Sequence, residues 1–89
     1  MFRNKQKSKI LPENFGAGSI LIAGNLRWLV ISDTPTTARL VSLNNFITSH
    51  ALIVDDPNYL TEDETRKLVD LTELNYTFSD FEFDTKGLK

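Results

Sequence analysis

The chain has one histidine, His50, and no cysteine, and these two facts bound its chemistry. Thiol nucleophiles and disulfides are excluded, and a structural zinc site lacks its usual ligands. Carboxylates are plentiful, yet none follows the spacing of an EF-hand calcium loop. Gly16-x-Gly18 starts like a phosphate-binding loop. However, Leu21 stands where a dinucleotide fingerprint has its third glycine, and a strand follows in place of a helix, so the pair reads as a backbone bend. Catalysis needs an acid, base or nucleophile tuned and held in a cleft. Here the acids gather at a helix start and in the last strand, where capping and solubility account for them. His50 reads as structural. The expectation is a protein that is not an enzyme and uses no metal, cofactor or small-molecule substrate. Its work is binding.

Three groups of residues could bind. Arg27 and Arg39, together with the N-terminal Arg3, Lys5, Lys7 and Lys9, could meet phosphates while aromatic groups stack on bases. Near the other end, Phe81 and Phe83 alternate with Asp80, Glu82 and Asp84, the pattern of an edge strand with one greasy and one charged face. Such a strand could extend a partner's sheet or present a polyanion to a basic partner. The third group, Ile20, Ile22, Leu29 and Ile31, forms an apolar surplus in the first hairpin. The favoured expectation is a small accessory protein that docks on a larger protein partner or assembles with itself. The alternative is nucleic-acid binding led by the basic arm. Charge is distributed unevenly enough to suit either: residues 1–54 hold six basic and two acidic groups, and residues 55–89 hold four and ten.

These side chains depend on residues 18–32, where two runs rich in β-branched and aromatic residues flank Gly24-Asn25. Glycine accepts positive φ as first loop residue, and asparagine suits the second place of a type II′ turn. That turn pairs Ala23 with Leu26, Ile22 with Arg27, Leu21 with Trp28, and Ile20 with Leu29. One face then carries Leu21, Trp28 and Val30, with Trp28 filling the core. The other carries Ile20, Ile22, Leu29 and Ile31, with Arg27 near the tip. Both faces are apolar, so each requires a cover.

A five-residue loop over 33–37 leads to a third strand over 38–43, with Arg39 across from Ile31 and Leu40 across from Val30. Asn44-Asn45 marks a turn, and 46–54 reads as a fourth strand, clearest over 51–54. Thr61-Glu-Asp-Glu64 is a capping box that opens a helix over about 62–73, with a narrow buried stripe through Leu68 and Leu71. Residues 76–84 read as a last strand. Its rings change parity between Phe78 and Phe81, which a bulge at Ser79-Asp80 would correct.

With 89 residues there is room for one domain. It is expected over 15–84, with a basic arm at 1–14 and a frayed tail at 85–89. The expected fold is mainly β, a small curled antiparallel sheet of about five strands with one helix before the last. That order of elements is similar to a small SH3-like or other compact barrel, a likeness of fold that implies no activity. No apolar run follows the basic N-terminus, and the longest, 20–31, is broken by Gly24-Asn25 and Arg27. The expectation is a cytoplasmic protein without a membrane partner.

Overall fold

Gly24 has a φ of 60° while Asn25 keeps to the negative side, as a type II′ turn requires. The turn joins β2 (Ile20–Ala23) to β3 (Leu26–Thr34) in the expected register, with Leu21 opposite Trp28 and Ile22 opposite Arg27. The computed structural model describes residues 10–85 in full and residues 7–8 by backbone alone. Four further strands complete one antiparallel sheet: β1 (Lys7–Ser8), β4 (Thr37–Ser42), β5 (Leu52–Ile53) and β6 (Glu82–Asp84). Their order is β1-β6-β2-β3-β4-β5, and the outermost strands do not pair with each other. The sheet is open, not a closed barrel. A helix, α1 (Glu62–Leu71), lies between β5 and β6 in the chain, so the α+β class is as expected. No described helix is long and apolar enough to cross a membrane.

The inner face carries Leu21, Trp28, Val30, Ala38 and Leu40, all buried. Leu68 and Val69 of α1 close over it, together with Phe15, Phe81 and Phe83. Burial of each such side chain is worth about 1.5–3 kcal/mol, and this single cluster is the core. Trp28 fills it as expected, although its Nε1 is buried with no partner. That orphan donor costs about 1–3 kcal/mol, which the large buried ring offsets.

The helix begins as its sequence requires. Glu64 N donates to Thr61 Oγ1 at 3.1 Å, and Thr61 N donates to Glu64 Oε1 at 2.9 Å. It ends two residues earlier than expected, because Thr72 and Glu73 bond to carbonyls three residues back and tighten the last turn. Glu73 then adopts a φ of 60°.

Three expectations need correction. The β3–β4 connection is Pro35-Thr36, not five residues, because Thr34 pairs with Thr37. A bulge between Ser32 and Thr34 absorbs Asp33, so Val30 still faces Leu40 and Ile31 still faces Arg39. Residues 46–54 form only the bridge of Thr48 to Val41 and the short β5. Ser49 interrupts the run: its hydroxyl accepts from Leu40 N, and the next N–H, of His50, turns to the helix carbonyl of Leu71. In 76–84 the parity change is made by a 3-10 turn, Phe78–Asp80, instead of a bulge. Phe78 packs on Phe83 and Tyr76 on Phe81, so all four rings still reach the core. Arg66 of α1 covers Phe78, 4.3 Å from the ring centroid, and ties helix to turn.

The lead-in to β2 is the tightest joint. Gly18 bends the chain at φ 93°, Ala17 N donates to the Pro57 carbonyl, and Leu60 N donates to the Phe15 carbonyl. A Cβ on Gly16 would collide with the backbone carbonyl of Asn58. Gly16→Ala is therefore expected to lower stability by more than about 2 kcal/mol, because backbone on both sides must move. Urea unfolding checks this; a loss under about 0.5 kcal/mol would mean that the 57–60 segment gives way freely.

Candidate functional site

Alternate side chains of β2, β3 and β4 point away from α1, and the pairing sorts them into rows across the sheet. In one row Ile22 lies between Arg27 on β3 and Glu82 on β6. In the next, Asp84, Ile20, Leu29 and Val41 follow one another from β6 to β4. Ile31 lies beside Arg39 in the third. The outer face is thus an apolar belt with arginines toward β3 and β4 and carboxylates on β6. Ile20 is 5% exposed yet lies outside the core cluster. Ile22, Leu29, Ile31 and Val41 are half-buried. The one described helix covers the opposite face. The four hairpin residues expected to bind therefore share this face, and Val41 joins them opposite Leu29, where the expected register of the third strand puts it.

The acidic, aromatic strand does not form the surface expected of it. β6 sits between β1 and β2, so it is an interior strand, not an edge. Phe81 and Phe83 are 1% and 0% exposed and belong to the core. Asp80 is an exposed residue whose carboxylate accepts from Thr77 N at 2.7 Å, closing the 3-10 turn. Only Glu82 and Asp84 of the group reach the outer face. The reason is the 3-10 turn, which sends the rings inward where the alternation left their direction open.

The basic group is divided as well. Arg39 Nε lies 2.5 Å from Asp33 Oδ2, held there by the bulge that presents Asp33. Arg66 and Lys67 lie against Glu62 and Asp63 one helical turn away. Arg27 is exposed and meets no described carboxylate. Arg3, Lys5 and Lys9 fall outside the described residues, and Lys7 is placed only by its backbone, opposite Asp84. His50 Nε2 lies 3.1 Å from Glu73 Oε2 at the surface, beside the end of α1. Among the described residues no three His, Cys, Asp or Glu side chains gather as a metal ion would need.

A second surface feature was not foreseen. Phe46 is 74% exposed and has a φ of 62°, in the left-handed region that glycine and asparagine occupy at least cost. Its loop is firmly built. Phe46 N donates to the Ser42 carbonyl, Ser42 N donates to the Ile47 carbonyl, and Ile47 N donates to Asn45 Oδ1. Asn44 ties the loop to the hairpin tip, accepting from Arg27 N and donating to the Asn25 carbonyl. Asn44-Asn45 signals a turn in the sequence, but nothing there shows that the following phenylalanine takes the strained position.

No family model, curated protein or solved structure matches the chain. Its function has to be read from its own geometry.

Phe46 gives up backbone energy and gains little burial, so the fold would do better without it. Phe46→Gly is expected to raise stability by about 1 kcal/mol, and Phe46→Asn by somewhat less. Urea midpoints measure this. A clear loss of stability in both variants would show that the ring packs usefully in the isolated chain.

Proposed function

We propose that this protein is a non-enzymatic accessory module of the cytoplasm that works by docking its outer sheet face on another protein surface. The observation behind this reading is the belt of Ile20, Ile22, Leu29, Ile31 and Val41 on the face that α1 leaves open. An antiparallel sheet with one solvated face normally alternates apolar and polar residues, and here both alternations are apolar. Four of these residues are half-buried, so full cover would add roughly 1 kcal/mol for each. That total is close to the lower bound of about 4 kcal/mol that association costs. The belt alone gives modest affinity, and charge must supply orientation. Arg27 and Glu82, on either side of Ile22, are placed to do so.

A benzophenone side chain introduced at Ile31 reports contacts of this face in cells. The same group at Lys67, on the exposed side of α1, is the control. The expected result is a discrete adduct from position 31 and none from position 67. Equal labelling from both positions, or no adduct from position 31, would overturn the reading.

A further inference from the structure

One margin of the sheet ends on open backbone. β5 is the outermost strand beyond β4, and it pairs Ile53 with Thr37 and Leu52 with Ala38. Val54 N donates to the Thr36 carbonyl at 2.9 Å, one step past the Ile53–Thr37 pair. In an antiparallel ladder this makes Ile53 and Thr37 a non-hydrogen-bonded pair, so the N–H and C=O of Ile53 point away from β4. By the same alternation those of Ala51 do too. Among the described residues nothing bonds to any of these four groups. Ala51 is exposed and Ile53 is 81% exposed, so this margin lies open. The row of outward groups ends at Asp55, whose N–H lies 3.4 Å from Glu64 Oε2.

We propose that β5 receives an extended, basic segment of another protein as an added strand, antiparallel to itself. The backbone sets the shape of that ligand, because outward donors and acceptors on alternate residues match another extended chain. Asp55 and Asp56 set its charge. Both are exposed at the end of the strand, and neither forms an ion pair among the described residues. Asp56 Oδ1 accepts from Asn58 N, a neutral donor that leaves its charge unbalanced. Glu64 adds a third carboxylate, bonded to the N–H groups of Asp55 and Thr61. Lysine or arginine at the start of the incoming segment meets these acids while the following residues pair with the strand. A second copy of this chain fits less well. Antiparallel pairing would set Asp55 and Asp56 of each copy toward the end where Glu73 lies beside His50 in the other.

Side chains then select the sequence. Leu52 packs against the core, so Ile53 and Ala51 face the outer side of the sheet. Apolar residues two apart in the added segment lie beside them. The margin is short, so the affinity is modest, with a dissociation constant on the order of 100 µM. This surface is carried by the backbone of β5 and stands apart from the docking of the outer face, which a benzophenone at position 31 tests separately.

The probe is the peptide Lys-Lys-Thr-Val-Thr-Val-Thr carrying fluorescein, titrated with the full chain at low salt and read by anisotropy. Its first valine falls opposite Ile53 and its second opposite Ala51. Saturable binding is expected, about tenfold weaker when glutamates replace both lysines. N-methylation of the first valine removes a ladder donor and should cost about as much. Ile53→Pro should also weaken binding about tenfold, because it deletes an outward N–H and no bond to β4. Circular dichroism shows whether that variant is folded. Amide exchange of the wild type needs no variant: the Ile53 N–H should slow severalfold at saturating peptide. No binding at about 1 mM peptide would overturn the inference. So would equal binding of the glutamate or N-methylated peptide, or an Ile53 amide that exchanges at the same rate with and without peptide. An Ile53 amide that slows with protein concentration alone would also overturn it, by making a second copy the occupant.

Discussion

The parity of one hairpin governs this molecule. The side-chain period of a strand is two, so the Gly24-Asn25 turn decides at once which half of β2 and β3 faces α1 and which half faces away. With the register observed, Leu21, Trp28 and Val30 go inward to the core and Ile20, Ile22, Leu29 and Ile31 go outward. A slip of one residue would exchange the two sets. Both sets are apolar, so hydrophobic pattern alone would only weakly oppose the exchange. The turn, and the positive φ that its glycine accepts, therefore carries more of the specification than in a sheet with one polar face. The chain reinforces it from outside the hairpin. Asn44 holds both Arg27 and Asn25 at the tip, and at the open end Val30 and Ser19 extend the pairing beyond the strand.

The second theme is an imbalance of cover. Among the described residues a sheet apolar on both sides has one short α-helix to shelter it, and α1 shelters the inner side with Leu68 and Val69. The aromatic residues after the helix, Tyr76 to Phe83, are spent on that side too, wedged beside Phe15 and under Arg66. Nothing of comparable bulk is left among the described residues for the outer side. That imbalance is what the docking proposal rests on.

Features encoded by neighbouring residues were legible in the sequence. The turn fixed the hairpin register, and Thr61 with Glu64 announced the helix start three residues apart. Even the register of β3 against β4 could be read, although the loop count was wrong, because Asp33 bulges out and compensates. Features decided by distant partners were not legible. Ser49 leaves the strand pattern because its hydroxyl finds Leu40 N, nine residues away. The aromatic tail becomes a 3-10 turn, with Thr77 and Asp80 capping it, and no alternation rule anticipates that. The candidate face was visible in the same way: its hairpin members could be named, and the register of β4 set Val41 beside Leu29. The strain at Phe46 had no signature at all, since it belongs to a backbone angle and not to a residue type.

Trp28 has a consequence for how the protein can be observed. It is the only indole in the chain, and it is 2% exposed on the inner side of the sheet. Its ring is in an apolar setting with its N–H unbonded, so its emission should be blue and poorly reached by dissolved quenchers. The backbone of β3 lies between it and whatever settles on the outer side. Intrinsic fluorescence will therefore follow the integrity of the core faithfully and remain nearly blind to association. Optical silence on mixing would be the normal behaviour of a chain whose chromophore faces the wrong way.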